Sequence, residues 1–123
     1  MPLHLTIDSA RRIIVSAGEG SISDADLKAG REKVTADPRF DPTFDRIWDL
    51  SAATRLTFSD EALQQFAEKS LSGVKVRRAI VCVAPEIVSR VLEFVEESRR
   101  FHRDIVIFPT RQEAEEWIAS PRE

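Results

Sequence analysis

IWDLSAATRLTFSDEAL, residues 47–63, joins an apolar run to a helix start through small polar residues. The apolar part belongs to RIWDL (46–50), which predicts a short buried strand. The last part, SDEAL, is typical of a helix N-terminus, so we expect Ser59 to cap a helix that reaches Leu71. The residues between them predict a turn. A strand that leads through a turn into a helix is typical of a layered α/β protein.

The residues before this stretch predict a hairpin and a helix. LHLTI (3–7) and RIIVSA (12–17) read as two strands joined by a turn, so a β-hairpin opens the chain. Ser23 and Asp26 approximate a capping box for the first helix. That helix is expected to end near Asp37, because a residue that precedes proline disfavours the α region.

The residues after the central stretch alternate between strands and helices. RAIVCVA (78–84) is nearly all apolar, which predicts a central strand buried on both faces. Pro85 suits the first turn of a third helix, IVIF (105–108) predicts another buried strand, and Thr110 with Glu113 caps a last helix. The predicted order is ββαβαβαβα. It implies a mixed sheet with parallel crossovers after an N-terminal hairpin.

The composition is that of an ordinary soluble protein. The 123 residues fit a single domain, 1–123, with a core over about 3–118. The formal net charge of −3 gives no general attraction to nucleic acid or to an anionic membrane. No apolar run approaches the roughly 18–20 residues that a membrane span needs, and no signal peptide is visible. We therefore expect a cytoplasmic protein.

The order of elements, with WDLSAATRLTFSDEAL at its centre, resembles the STAS domain, the SpoIIAA-like fold of anti-sigma-factor antagonists. Short stand-alone bacterial STAS-like proteins of unassigned activity are more similar still. In these, a hairpin turn like IDSARRIIV, a helix between SISDADL and DPRFDP, and an end like IVIFPTRQEAEEWI recur. The resemblance covers roughly residues 3–118. It implies a SpoIIAA-like α/β fold and a regulatory or protein-binding role without catalysis.

The resemblance also bears on phosphorylation. In partner-switching STAS proteins, a strand ending in DLS leads to an Asp-Ser-Ser-Gly turn, and a kinase phosphorylates its second serine. Counted from Asp49, the equivalent turn here is TFSD (57–60), and Ser59 falls on the modified position. Asp60 and Glu61 would repel a phosphate at that position. We therefore expect Ser59 to be a helix cap, worth about 1 kcal/mol, and not a phosphorylation site.

The resemblance implies a contact surface formed by the turn at residues 51–60 and the helix that follows. Its candidate residues are Asp49, Arg55, Thr57, Phe58, Ser59 and Asp60. Asp49 ends the predicted strand, where ligands of parallel sheets collect, but it could instead accept backbone N–H bonds from the turn. A protein partner is expected, and the edge of the opening hairpin is a candidate homodimer interface.

Two other functional classes stay open. Distant CRAL-TRIO lipid carriers share the fold group, which suggests a carrier or sensor of a small apolar ligand lined by the aromatics at 40–58. An enzyme is the weakest alternative. Cys82 reads as a buried inert thiol, and His4 and His102 have no metal-ligand companion, so we expect no catalytic residue, metal or cofactor. Only burial could assemble Asp49, His4 and Cys82 into a site.

Two groups of basic residues complete the sequence analysis. One follows the second predicted helix and the other precedes the last strand: Lys75, Arg77 and Arg78, and Arg99, Arg100, His102 and Arg103. Without interleaved aromatics or a nucleic-acid motif, both predict solvated surface. If both lie at one edge of the sheet, they could contact phosphate or an acidic partner.

Overall fold

A computed structural model of the chain describes residues 3–62, 76–98 and 104–121. Five strands and three complete helices lie in these ranges, and residues 60–62 are also helical. The strands are β1 (Leu3–Asp8), β2 (Ile13–Ile22), β3 (Asp45–Leu56), β4 (Arg78–Val81) and β5 (Ile105–Phe108). The helices are α1 (Asp24–Ala36), α2 (Pro85–Ser98) and α3 (Arg111–Ala119). The predicted α/β class is confirmed.

The strands form one mixed sheet in the order β1-β2-β3-β4-β5. β1 pairs antiparallel with β2, and the three remaining pairs are parallel. The sheet therefore has the predicted form, a hairpin followed by parallel crossovers. β1 and β5 are its edges, and the predicted homodimer contact through β1 stays a prediction.

Helices cover both faces of the sheet, because apolar side chains alternate along the strands. On the first face, α1 and α2 pack on a cluster that includes Leu27, Leu50, Ile80, Val91 and Ile105. On the second face, α3 packs on Ile13, Val15, Ile47, Ala79 and Val81 through Ala114 and Ile118. Every residue of β4 is buried, as expected of a strand between two helical layers.

β3 is much longer than predicted. The sequence predicts a strand at 46–50 and a turn from residue 51, but the structure continues the strand to Leu56. The prediction of a turn over residues 51–56 is wrong, because these residues pair with the similarly extended end of β2. Their small and polar side chains carry little strand signal of their own, so the pairing decides the conformation.

Two glycines allow β2 to extend. Gly20 has a φ of 66°, which glycine adopts without strain, and it lies at a register shift in the β2–β3 pairing. A Cβ on Gly18 would lie 2.5 Å from Ile22 Cδ1 and 3.1 Å from Leu50 Cδ2. Residues 18–22, which lie beyond the strand predicted at 12–17, therefore pack closely under α1.

The predicted caps and helix ends are present. Asp26 N donates to Ser23 Oγ at 3.3 Å, and Ser23 N donates to Asp26 Oδ2 at 2.9 Å, which completes the capping box of α1. α1 ends at Ala36, one residue before Asp37. Thr110 caps α3 by accepting a hydrogen bond from Glu113 N at 3.2 Å.

The aromatics of the 37–44 loop fold back on the sheet. Phe44 is buried with Ile7, Ile14 and Val34, and Phe40 packs against the same cluster. They fill the space between the hairpin and the C-terminal half of α1.

Some large apolar side chains are exposed, and some predicted features lie outside the described residues. Leu92 of α2 is exposed, and so is Val106 of the strand predicted to be buried, because β5 is an edge strand. The apolar face predicted for the second helix (63–71) lies outside the described residues. So do Lys75 and the basic residues of 99–103. Within the described ranges, no helix is long and apolar enough to cross a membrane.

Arg77 and Arg78, which the sequence analysis placed in one basic group, serve different parts of the fold. Arg77 Nη1 donates to the carbonyl oxygens of Trp117 and Ser120, at 2.6 and 2.9 Å, and its guanidinium lies over the Trp117 ring. It therefore satisfies the C-terminal end of α3, where a cation is favourable. Arg78 is buried, with 3% of its surface exposed.

Candidate functional site

The predicted contact surface lies at the free end of β3. β4 pairs only with the part of β3 from Arg46 to Asp49, so the rest of β3 projects past β4 in the described part of the chain. Ser51, Ala52, Thr54 and Arg55 are exposed there. We call residues 51–60 the tip segment. It consists of the end of β3, a short connection and the first helical residue.

The N-terminal end of α1 holds one side of the tip segment. Ser59 donates to Asp24 twice, from its backbone N to Oδ1 and from its hydroxyl to Oδ2, each at 3.1 Å. Thr57 N donates to the carbonyl of Ile22 at 2.9 Å. Ser59 Oγ in turn accepts a hydrogen bond from Ala62 N at 3.0 Å, which confirms the predicted helix cap.

Arg90 of α2 holds the other side. Its Nη1 donates to Asp60 Oδ1 at 3.1 Å and also to Glu93, and its Nη2 donates to the carbonyl oxygen of Phe58. Only 20% of the Arg90 side chain is exposed, whereas Asp60 is almost fully exposed. One half-buried guanidinium therefore fixes the connection between β3 and the helical residues.

Asp49 does not lie at the end of its strand, which corrects the sequence-based expectation. It lies within β3, opposite Val81, where β4 ends. Its Oδ1 accepts hydrogen bonds from Ser51 N at 3.1 Å and from Ser51 Oγ at 2.5 Å. Its Oδ2 lies 3.7 Å from Arg111 Nη1 of α3. The Asp49 carboxylate therefore already interacts with groups of the protein itself, those of Ser51 and Arg111.

The charges around Ser59 disfavour a phosphate. The Ser59 hydroxyl faces the Asp24 carboxylate, and the exposed carboxylates of Asp60 and Glu61 follow it directly. Phosphorylation would remove the proton that Ser59 donates to Asp24 and would place a dianion beside three negative charges.

The sequence analysis missed Asp24 and Arg90. They lie 35 and about 30 residues from the positions that they contact, and neither belongs to a local motif with the tip segment. Asp24 reads as an ordinary acidic residue in a first helical turn, and Arg90 reads as a residue on the polar side of an amphipathic helix.

The residues considered for catalysis are separated. Cys82 belongs to the apolar cluster under α1 and α2, and burial raises the pKa of its thiol. Asp49 faces α3 on the opposite side of the sheet. His4 Nε2 lies 2.9 Å from Glu19 Oε1 on exposed surface. Among the described residues, no group of three or more His, Cys, Asp or Glu side chains could hold a metal ion.

A small apolar cavity lies beneath the tip segment. Its volume is about 40 Å³. Arg90 is the charged residue in its described wall, and the remaining wall is apolar, including Trp48, Leu50, Phe58, Ile80 and Phe94. Of the aromatics predicted to line an apolar pocket, Trp48 and Phe58 lie in the wall of this cavity, whereas Phe40 and Phe44 pack in another cluster.

The geometry matches a solved structure over nearly the whole chain. The crystal structure of an uncharacterised protein of the DUF3478 family from Shewanella loihica PV-4, described as having a SpoIIAA-like fold, superposes with a TM-score of 0.58. The match covers 95% of this chain and 94% of that chain. This chain has a SpoIIAA-like fold. The resemblance that the sequence analysis states is confirmed at the level of the fold.

The comparison carries no activity to this protein. Sequence identity with the Shewanella SpoIIAA-like protein is 16%, which shows a shared fold alone. No family model matches the sequence, and no curated protein matches it.

The contacts of Ser59 lead to a stability prediction. We expect Ser59→Ala to lower the free energy of unfolding by about 1 kcal/mol through loss of the cap. In a double-mutant cycle with Asp24→Ala, the two changes should couple by about 0.5–1 kcal/mol, because the side chains are hydrogen-bonded. Ser59→Asp keeps a capping group but faces Asp24 with a like charge, so it should be less stable than the wild type.

Urea unfolding monitored by circular dichroism measures these changes. Ser9→Ala, at an exposed serine in the hairpin turn, is the control and should have little effect. Additive effects at Ser59 and Asp24, together with a Ser59→Asp variant as stable as the wild type, would contradict the described geometry.

Proposed function

We propose that this chain is a non-enzymatic regulatory or protein-binding module whose contact surface is the tip segment and the helix start that follows it. The observation that supports this proposal is that the tip segment has exposed side chains on a backbone that neighbouring residues hold in place. The side chains of Ser51, Arg55 and Asp60 are exposed, while Asp24 and Arg90 hold the backbone beneath them.

A fixed surface binds with a smaller entropic cost. A loop that must become ordered on binding loses part of its interaction energy, whereas a preformed segment does not. The end of β3 also extends past β4 as a strand, and projecting strands can add an extended segment of a partner by backbone pairing. Arg55 on the strand and Asp60 after it would make the tip segment selective for a partner with complementary charges.

The SpoIIAA-like fold supports the same location. In the anti-sigma-factor antagonists that this chain resembles, the turn after the DLS strand is the part that a partner kinase modifies. Here the equivalent serine, Ser59, donates its hydroxyl proton to Asp24 and caps the helical residues. We therefore propose recognition of the tip segment in its unmodified form, without a phosphorylation switch.

Charge reversal tests the proposed surface. We expect Arg55→Glu to reduce the amount of the specific partner retained from native extract by about tenfold, because a like charge now faces the partner's complementary group. The tagged protein serves as bait, and the retained proteins are quantified by mass spectrometry. Asp60→Lys should act similarly, after circular dichroism shows that loss of the Arg90 contact leaves the fold intact.

Arg11→Glu is the matched control for the charge-reversal variants. Arg11 lies in the hairpin turn, and about half of its side chain is exposed. This variant should retain the partner at the wild-type level. If both Arg55→Glu and Asp60→Lys retain every protein that the wild type retains, the tip segment is not the contact surface.

The cavity supports a second candidate function, a carrier or sensor of a small apolar ligand. Its wall is almost entirely apolar, and Arg90 could contact a polar head group. Its size argues against this function, since 40 Å³ is far below the roughly 300–1,000 Å³ of typical ligand pockets. We therefore rank this candidate below protein binding.

Native mass spectrometry and thermal unfolding with fatty acids separate the two functions. A protein-binding module should show the bare chain mass and no ligand-dependent rise in melting temperature. A carrier should show an adduct and a rise that Val91→Leu, which extends a side chain into the cavity, reduces and that Phe40→Ala, outside the cavity, retains. The second result would overturn the ranking given above.

A further inference from the structure

The free edge of β5 lacks the features that usually protect an edge strand from pairing. The strand order places β5 at one end of the sheet, and within the described residues β5 pairs with β4 alone. Its sequence, IVIF, contains no charged residue, and its pairing with β4 has no register shift. Natural proteins usually protect such an edge with a charge, a proline or a bulge, because an unpaired edge can bind a further strand.

The backbone groups of Ile105 and Ile107 point away from β4. The carbonyl oxygens of Asp104 and Phe108 accept hydrogen bonds from backbone N–H groups of the segment 78–82, at 2.8 and 3.1 Å. Along a strand of a parallel pair, every second residue bonds to the neighbouring strand. The N–H and C=O groups of Ile105 and Ile107 therefore lie on the outer side of the sheet.

Apolar side chains lie on both faces of the sheet beside this edge. Val106, which is 37% exposed, lies on the face of α3, because its partner in β4 is Ala79 of the cluster under that helix. On the other face, α2 carries Leu92, which is 50% exposed, and half-buried Val88 one turn before it. Ile107 of β5 is half-buried on the same face as α2.

The helical period directs Val88 and Leu92 toward the β5 edge. Arg90 and Phe94 of α2 line the cavity beneath the tip segment, on the side of β3. Positions 88 and 92 are two residues from Arg90 and therefore lie on the opposite flank of the helix. Since β4 separates β3 from β5, that flank faces the edge. We call the following residues the edge patch: Val88, Leu92, Val106 and Ile107.

A second copy of β5 fits this edge in an antiparallel pairing with a two-fold axis at Val106. In that register Ile105 pairs with Ile107 of the second copy, so the outward N–H and C=O groups of both residues are bonded. Val106 faces Val106 of the second copy in the closer, non-hydrogen-bonded type of pair, which removes both side chains from water. Asp104 lies opposite Phe108 of the second copy, so no like charges face each other. The edge is thus complementary to itself, as a two-fold interface requires.

We propose that the β5 edge binds a second copy of this chain and joins the two sheets into one. The strand has four residues and the edge patch is small, so the homodimer is weak and depends on concentration. The antiparallel pairing places the two tip segments at opposite ends of the joined sheet. This inference does not rest on the proposed protein-binding function.

The β1 edge is the poorer candidate for the same contact. Its exposed side chains, those of His4 and Thr6, are polar, so their burial would gain little. Arg39 Nη1 also donates to the carbonyl oxygen of Ile7 at 3.4 Å. The homodimer contact is therefore assigned to β5.

Sedimentation velocity over about a hundredfold range of protein concentration tests for this dimer. The wild type should sediment as a monomer at the lowest concentrations and increasingly as a dimer at the highest. Val106→Lys places two like charges where the strands are closest, so it should raise the dissociation constant of the dimer by about tenfold or more. Val83→Lys, at an exposed valine outside the edge patch, is the matched control and should dimerise as the wild type does.

Disulfide cross-linking tests the register. Two cysteines that face each other in a non-hydrogen-bonded pair are close enough for a disulfide, so Val106→Cys should cross-link two copies under mild oxidation. Thr6→Cys, at an exposed position of β1, is the control and should stay uncross-linked at the same protein concentration. The native Cys82 is buried and does not compete.

Three results would overturn the proposal: a wild type that stays monomeric at every concentration, a dimer that Val106→Lys leaves intact, or cross-linking of Thr6→Cys in place of Val106→Cys. Circular dichroism shows whether Val106→Lys is folded. If it is not, the Val106→Cys variant, which keeps a small side chain, decides the matter.

Discussion

β3 pairs over different lengths with its two neighbouring strands, and this difference determines which part of β3 is exposed. β3 pairs with β2 almost from end to end, but it pairs with β4 over only four residues, Arg46 to Asp49. The first half of β3 is consequently a central strand covered by helices on both faces. The second half has no pairing with β4 in the described part of the chain, and it forms the exposed tip segment.

The exposed half stays ordered because neighbouring elements replace the missing strand contacts. Asp49 accepts the backbone N–H and the hydroxyl of Ser51, directly where β4 ends. Farther along, Asp24 of α1 and Arg90 of α2 bind the connection to the helical residues from its two sides. Each of these side chains satisfies polar groups that would otherwise depend on solvent. Ser59, at the position that corresponds to a phosphorylated serine in partner-switching STAS proteins, thus has a structural role here, as a helix cap and as a donor to Asp24.

The other end of β3 obeys a different constraint. There the parallel register places Arg46 beside Arg78. Burial lowers the pKa of both guanidinium groups, and Arg78 is the more deeply buried of the two.

Local patterns predicted much of this fold. The capping box of Ser23, the proline limits of α1 and α2, and the apolar run of β4 each act within a few residues, and the structure confirms them. The length of β3 was not predictable in this way, because AATRL becomes a strand only through its pairing with β2. The contacts of Ser59 with Asp24, and of Arg46 with Arg78, join positions 35 and 32 residues apart. Such contacts depend on register, which no local pattern encodes.

Amide hydrogen exchange measured by NMR tests the unequal pairing of β3 most directly. The account predicts that amides at 46–49 exchange only on global unfolding, because strands pair with β3 on both sides there. Along 51–56, amides directed toward β2 should be protected, and alternate amides directed away from it should exchange orders of magnitude faster. Uniform protection of residues 46–56 would show a neighbour along the whole of β3, and it would contradict both the projecting tip and the surface proposed on it.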